Sequence, residues 1–179
     1  MSETPQAYTQ RVLSYVEGQE PIRVQRASAG KLKKLVRGLD RKQLTWRPAP
    51  GKWSIAEILA HVADTEIVAA WRLRLILGSN GAPVQGFDQD SWAAVFKYAK
   101  ADVKRSIEIF SFLREMNLAM LKSVPRELWD NSGIHSERGK ESVAHIVRMF
   151  AGHDTNHIRQ IEEILTQLKN KKKSKKRKK

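Results

Sequence analysis

Apolar side chains recur every three or four residues along nearly the whole chain, which is the spacing of one face of an α-helix. No stretch of useful length alternates apolar and polar residues with the period of two that indicates a half-buried strand. The pattern predicts four principal helices, near residues 22–39, 55–78, 103–123 and 142–168. We therefore expect an all-α protein built as a helical bundle.

The second principal helix has the clearest start signal in the sequence. Ser54 precedes its apolar stripe and Glu57 follows three residues later, which is the spacing of a capping box. Gly78 marks its end, because glycine readily takes the left-handed conformation that closes a helix.

Shorter segments connect the principal helices. Residues 6–16 and 90–100 form helical pieces ahead of the first and third principal helices, and residues 131–141 form a loop before the last one. The connection of residues 79–92 is long enough to cross one end of a bundle, so the second and third helices need not be antiparallel neighbours.

The composition excludes several kinds of chemistry. The chain of 179 residues has no Cys, which rules out disulfides, thiolate metal ligands and a cysteine nucleophile. The N-terminal residues have neither the basic start nor the apolar run of a secretory signal. No segment has the roughly 20 consecutive apolar residues that a membrane helix needs. We therefore expect a soluble, cytoplasmic protein that does not insert into membranes.

The net charge of +14 is concentrated at the C-terminus. Residues 169–179 carry nine basic and no acidic side chains, and removing these nine charges from +14 leaves +5 on residues 1–168. Because this segment has no apolar residue, we predict a bundle domain over residues 1–168 and a disordered lysine-rich tail over residues 169–179. Such a tail would bind polyanions weakly and without sequence preference, although a purely solvating role fits its composition equally well.

Three of the five histidines lie on apolar helix faces. The stripe of the last helix passes from Phe150 to Ile161 through His153 and His157, which are four residues apart and therefore stack on one side. His61 lies on or beside the apolar face of the second helix. If the two helices pack together, three imidazoles can bind one divalent metal ion and leave a position for water or substrate. The competing interpretation is a set of core histidines, each hydrogen-bonded to a neighbour.

Three carboxylates lie near these histidines in the sequence. Glu57 and Asp64 are about one turn on either side of the histidine in the second helix, and Asp154 lies between the two histidines of the last helix. Each is a candidate to orient an imidazole ring or to act as a base, although a solvated surface charge is the simpler interpretation of each one alone. Neutral imidazoles suit several first-row metals, with zinc and nickel the leading candidates.

Four other residues carry weaker signals. His135, in the loop before the last helix, is a candidate substrate-binding residue or an exposed loop histidine. His145 is two turns before His153 but points about 80° away from it around the helix, so it is left out of the site. Arg72 and Arg74 are candidates to bind an anionic substrate, and pairing or packing at the surface is the favoured interpretation.

Two segments of the chain resemble the DinB superfamily, including its YfiT-like members. They are WRPAPGKWSIAEILAHVADTE at residues 46–66 and GHDTNHIRQIEEIL at residues 152–165. The intervening GIHSERGKESVAHI at residues 133–146 is similar to the segment that precedes the last helix of the family. The resemblance covers about residues 22–168.

The resemblance implies a four-helix bundle with an up-down-down-up arrangement. It also implies a divalent metal ion held by three histidines, at the positions of His61, His153 and His157 in this chain. The lysine-rich tail is not part of the family pattern.

The resemblance implies function as well. Relatives include metal-dependent hydrolases and enzymes that transfer low-molecular-weight thiols, and many relatives form dimers. We therefore expect a homodimeric, metal-dependent enzyme that hydrolyses a small-molecule substrate or transfers a small thiol. Two alternatives stay open, a non-catalytic bundle that binds a partner or polyanion through its tail and a bundle whose metal ion is only structural.

Overall fold

The computed structural model describes residues 3–177, and it describes only the backbone of residues 172, 173 and 175–177. Residues 178 and 179, the end of the predicted tail, lie outside the described residues. None of the helices in the described part is long and apolar enough to cross a membrane. The helices of the described part are α1 (Pro5–Ser14), α2 (Pro21–Val36), α3 (Arg41–Leu44), α4 (Ile55–Gly78), α5 (Gln89–Val95), α6 (Val103–Ser123) and α7 (Val143–Arg177), with 3₁₀ turns at Tyr98–Lys100 and Arg126–Asp130.

The four principal helices lie where the apolar pattern predicts them, as α2, α4, α6 and α7. The predicted capping box starts α4. The Ser54 hydroxyl accepts a hydrogen bond from the backbone N–H of Glu57, and the Glu57 carboxylate accepts one from the backbone N–H of Ser54. The helix ends at Gly78, as predicted, but Gly78 does not take the expected left-handed conformation, and the cap residue Ser79 is extended with φ −150°.

The prediction of an irregular loop before the last helix is wrong. Ser132–His135 (β2) and Gly139–Ser142 (β3) form an antiparallel hairpin, and Pro83–Val84 (β1) pairs in parallel with β2. Strands this short contain too few residues to produce a recognisable alternating pattern. Gly133 lets the sheet pack tightly against α4, because a Cβ at this position would lie 2.9 Å from the side chain of Ile76.

The bundle has the up-down-down-up arrangement that the resemblance implies. One apolar cluster joins the first halves of α4 and α6 to the second half of α2 and the middle of α7. A second cluster joins the last halves of α4 and α6 to the first turns of α2 and α7. Therefore α4 and α6 run in one direction, and α2 and α7 run in the other.

A layer of buried polar side chains separates the two apolar clusters. At its centre, the guanidinium of Arg114 in α6 donates to the carboxylates of Glu66 in α4, at 2.7 Å, and Asp154 in α7, at 2.5 Å. Arg114 also donates to the backbone carbonyl of Gln25 in α2. Because each of these groups is buried, the four helices can pack only in a register that keeps them paired.

The last helix continues beyond the predicted end of the bundle. Leu168 is the last buried residue described in α7, but the helix extends to Arg177. The Lys171 ammonium lies 5.3 Å from the ring centroid of Trp46. Disorder of residues 169–179 stays a prediction.

Two glycines test how the helices pack. An added Cβ at Gly152 of α7 would lie 2.1 Å from the backbone oxygen of Val12 in α1, whereas an added Cβ at Gly30 of α2 would have no atom within 4 Å. We expect Gly152→Ala to lower the free energy of unfolding by about 2 kcal/mol or more, because α1 must move away. Gly30→Ala should raise it by about 0.5–1 kcal/mol, because alanine favours the helix.

Urea unfolding of the two variants and the wild-type protein provides the measurement. A shift of the two midpoints in the same direction would show that α1 does not pack on α7 as described.

Candidate metal centre

The three predicted histidines converge between α4 and α7. The Nε2 atom of His153 lies 3.1 Å from Nε2 of His61 and 3.1 Å from Nε2 of His157. One ring nitrogen from each histidine can be chosen so that all three lie within 4.8 Å of one another. All three side chains are buried. The arrangement therefore brings together three nitrogen ligands that can hold one metal ion.

The packing of the helices places these rings. His153 and His157 follow Phe150 on the inner face of α7, and α4 runs antiparallel to α7 and presents His61 opposite them. The His61 ring packs against Trp53, with ring centroids 4.9 Å apart, and the His153 ring packs against Phe150 at 6.1 Å. An aromatic ring thus packs against each of these two imidazoles and restricts its orientation.

Two polar residues orient the rings. The Gln160 side-chain oxygen lies 2.8 Å from Nδ1 of His157. Because a carbonyl oxygen can only accept, Nδ1 carries the hydrogen and Nε2 presents its lone pair to the other histidines. The Thr65 hydroxyl donates to the backbone carbonyl of His61 and lies 3.4–3.5 Å from the ring nitrogens of that histidine.

The environment keeps all three imidazoles neutral. Burial lowers the pKa of His61 and His153 well below 6.5, and the proximity of His157 lowers both further. Burial lowers the pKa of His157 to about 4, against the opposing effect of its hydrogen bond with Gln160. A metal ion binds unprotonated imidazole, so the donor set has the protonation state that metal binding requires.

The Glu57 and Asp64 carboxylates have partners other than the histidines. Glu57 accepts from Ser54 and pairs with the guanidinium of Arg47. These bonds lower its pKa against the effect of burial. Asp64 accepts a hydrogen bond from the hydroxyl of Tyr98 at 2.5 Å. Both carboxylates thus stabilise the segments that flank α4, and their hydrogen bonds do not reach an imidazole ring.

Asp154 is also held elsewhere. Both of its carboxylate oxygens accept hydrogen bonds from Arg114, in the polar layer described above. The backbone spacing that places His153 and His157 on the cavity side of α7 directs Asp154 towards α6 instead. The side chains beside the imidazole rings are therefore Thr65 and Gln160, where the sequence had suggested carboxylates.

The remaining two histidines lie outside the cluster. His135 is buried in β2, where its Nδ1 atom accepts a hydrogen bond from the backbone N–H of Glu137. Its Nε2 atom is buried without a hydrogen-bond partner among the described residues. His145 is partly exposed, and its Nε2 atom lies 3.8 Å from the Glu141 carboxylate.

A cavity of about 850 Å³ gives access to the histidine cluster. Its wall includes His61, His153 and Thr65, and exposed residues such as Asp90 form its rim. This volume lies in the range of small-molecule sites. Arg72, which the sequence had suggested as a surface residue, is buried in the same wall.

Helical spacing could have identified the site residues that were missed. Thr65 and Arg72 follow His61 by four and eleven residues, which are one and three turns of α4, so all three point to the same side. Gln160 follows His157 by three residues on α7. Polar residues at these intervals are common on helices, however, and only the packing shows which face lines a cavity.

Comparison with known proteins agrees with this arrangement. A protein of Oceanobacillus iheyensis named "Putative metal-dependent hydrolase" is 28% identical over 136 residues, which cover 76% of this chain and 78% of the relative. A protein of Bacillus cereus strain 03BB102 with the same name is 24% identical over 137 residues, covering 76% of this chain and 79% of the relative.

A solved structure shows the same fold. YfiT from Bacillus subtilis, described as "a probable metal-dependent hydrolase with an unusual four-helix bundle topology", superposes with a TM-score of 0.78 at 18% sequence identity. The match covers 93% of this chain and 90% of YfiT. The sequence profile of the DinB superfamily matches residues 26–161, which include all three clustered histidines. This chain therefore belongs to the DinB superfamily.

Proposed function

We propose that this protein is a metal-dependent hydrolase that acts on a small molecule bound in the cavity. The observation that carries the proposal is the convergence of three neutral imidazole nitrogens beside a cavity of ligand size. The names of the Oceanobacillus and Bacillus relatives point to the same chemistry. A set of three protein ligands is typical of catalytic rather than structural zinc sites.

In this proposal the residues have separate roles. His61, His153 and His157 hold the metal ion, and Gln160 keeps His157 in the tautomer that presents its lone pair. A divalent metal ion in such a site lowers the pKa of a bound water and polarises a substrate oxygen. The buried walls around the histidines limit the access of bulk water to the reacting bond. Zinc and nickel are the proposed metals, because both bind neutral imidazole.

The first test is the metal content of the purified protein and of ligand variants. We expect about one divalent ion per chain after dialysis, and a loss of most of it in His153→Ala and in His157→Ala, because two imidazoles hold a metal ion far more weakly than three. Elemental analysis measures the metal, and circular dichroism shows that the variants fold. Hydrolysis of a panel of esters and amides should be lost in the same variants.

A histidine outside the cluster provides the control. His145→Ala removes a partly exposed histidine from the same helix and should retain both metal and activity. Equal trace metal in wild type, His153→Ala and His157→Ala would contradict the proposal. Metal binding that stabilises the fold without any hydrolysis in the panel would favour the purely structural role.

A second test uses the pH dependence of stability in the metal-free protein. The unfolded chain takes up a proton on each of these histidines near pH 6.5, whereas the folded protein resists protonation of His157 down to about pH 4. The free energy of unfolding should therefore be constant above pH 7.5 and fall as the pH drops from 6.5 towards 4. The slope should approach 1.4 kcal/mol per pH unit for each histidine that stays neutral in the fold.

Urea unfolding at pH 7.5, 6 and 5 measures this slope. His157→Gln should reduce the slope of the free energy of unfolding against pH by the contribution of one histidine, because glutamine does not titrate. An equally steep fall in this variant would show that His157 is protonated in the folded protein.

Thiol transfer is the second proposed chemistry for the same site. Thiolates are good ligands for a metal ion held by imidazoles, so a small thiol can occupy the fourth position in place of water. The two reactions differ in their products. A hydrolase releases its products without added thiol, whereas an S-transferase requires the thiol and attaches it to the substrate.

Polyanion binding through the tail is the competing proposal. Polyanion binding would require residues 169–179, whereas the three histidines of the metal site lie outside this segment. Deletion of this segment should therefore leave metal content and hydrolysis unchanged and should reduce only the salt-sensitive retention on RNA or DNA.

We further propose that the protein is a homodimer that buries one face of the α4–α6 pair. Large apolar side chains are exposed on this face, at Ile67 and Trp71 of α4 and at Ile109, Phe112 and Met116 of α6. Arg74 extends the α4 row and donates to Asn117 of α6, so both rows lie on the same side of the helix pair. An exposed apolar patch shared by two helices is typical of a protein–protein interface.

Substitution of two central residues tests the dimer. We expect Trp71→Lys with Phe112→Lys to shift the protein from dimer to monomer and to weaken association at least 100-fold, because large aromatic residues dominate such interfaces. Light scattering after size-exclusion chromatography measures the mass. Phe96→Lys changes an exposed aromatic residue outside this face and is the control. A monomeric wild-type protein would exclude the dimer.

A further inference from the structure

Arg72 places a buried positive charge in the wall of the cavity. Only 5% of the residue is exposed. Its Nη2 atom donates to the backbone carbonyl of Gln85 at 2.9 Å, and its guanidinium carbon lies 6.0 Å from the Phe87 ring centroid. Within residues 3–177, no carboxylate forms an ion pair with it. A buried charge without a counter-ion is costly, so this position favours an anionic ligand.

Asp88, Asp90 and Glu137 also line the cavity, and two of its other charged groups already have partners. Arg138 forms two hydrogen bonds with the carboxylate of Glu141, at 2.6 and 2.9 Å. Glu3 at the rim pairs with Arg11 at 2.7 Å. Neither of these ion pairs involves Arg72, so its guanidinium keeps hydrogen-bond donors for a ligand.

The charge of Arg72 persists at neutral pH. Burial and the repulsion of Arg138 lower its pKa to about 10, while Glu141 and Glu137 oppose this shift. A guanidinium in such surroundings is weakly hydrated and donates well to paired anionic oxygens.

The neighbourhood of Arg72 contains a second unused donor. In the neutral His135 ring, Nδ1 accepts from the backbone of Glu137, so the hydrogen lies on Nε2, which is buried without an acceptor among the described residues. His135 pairs in the sheet with Val84, the residue before Gln85. His135 thus adds a buried hydrogen-bond donor without an acceptor near Arg72.

The helix fixes the distance between Arg72 and the histidine cluster. Arg72 follows His61 by eleven residues on the same face of α4, which corresponds to about 16 Å along the helix axis. Both side chains lean towards the N-terminus of α4, so their tips keep a separation of about 16 Å along the axis.

We infer that Arg72 binds an anionic oxygen group of the substrate, a carboxylate or a phosphate, about 16 Å from the atom that reacts at the histidine cluster. Arg72 would then determine specificity by requiring a small molecule with an anionic group at one end and the reacting bond at the other. The inference rests on the proposed function, because it takes the histidine cluster as the place where the substrate reacts.

A series of thiols of increasing length tests the inference by binding alone. The probes are ω-mercaptoalkanoates, whose thiolate can ligate a cobalt ion loaded into the histidine site, and ω-mercaptoalkanols of equal length, which lack the charge. Absorbance of the thiolate–cobalt complex measures affinity. We expect the carboxylate to bind about tenfold or more tightly than the alcohol at the length that spans about 16 Å, with a smaller difference for shorter chains. A mercaptoalkyl phosphate of the same length shows which anionic group is preferred.

Two variants of Arg72 and one control identify the group responsible. Arg72→Gln should abolish the advantage of the carboxylate while leaving the affinity for the alcohol unchanged, and Arg72→Lys should retain part of it. Arg148→Gln removes an exposed arginine of α7 outside the cavity and should behave as wild type.

The outcomes separate the two proposals. Equal affinity for carboxylate and alcohol at every length in wild type, or an advantage that survives Arg72→Gln, would overturn the role of Arg72 and leave the metal site intact. If wild-type protein takes up no cobalt and binds neither series, the proposed function fails and the inference fails with it. Cobalt content and circular dichroism of Arg72→Lys show that the comparison is made on folded, loaded protein.

Discussion

The ion pairs of Arg114 with Glu66 and Asp154 constrain the whole bundle. A buried guanidinium with a missing partner would cost several kcal/mol, so sliding one helix past another is strongly disfavoured. The two apolar clusters on either side would tolerate such a shift far better, because apolar contacts are not directional. Asp154 is adjacent to His153 in the chain, so the same pairing that fixes α7 against α6 also fixes the position of the histidines opposite α4.

Much of the bundle was predictable because its core is arranged with helical periodicity. The stripe of α7 and the capping box at Ser54 set the helix positions, and the stripe also placed His153 and His157 inside the fold. The direction of the helices was not predictable from periodicity, since a long connection permits several arrangements. It came from the family resemblance, and the composition of the two apolar clusters confirms it.

The surroundings of the histidines were harder to predict, because sequence proximity to a ligand does not determine direction. Asp154 lies beside His153 in the chain and still points towards another helix, whereas Gln160 reaches the ring of His157 from one turn away. The small three-stranded sheet was not predicted for a related reason. The pairing of β1 with β2 joins residues about fifty positions apart, as in Pro83 with Ile134, and leaves no local pattern, while the strands of the local hairpin are too short to show one.

The charge of the polar layer bears on how a metal ion could be held there. Three neutral imidazoles would leave a divalent ion with both of its positive charges in a buried setting, where uncompensated charge is costly. The layer next to them contains two carboxylates and one guanidinium, Glu66, Asp154 and Arg114, and so has one net negative charge in its ionised form. This charge lies close enough to favour a cation, but Arg114 occupies the carboxylates and prevents them from becoming ligands themselves. A divalent ion held by His61, His153 and His157 would therefore keep a net positive charge and favour an anionic ligand, which would suit both of the proposed chemistries.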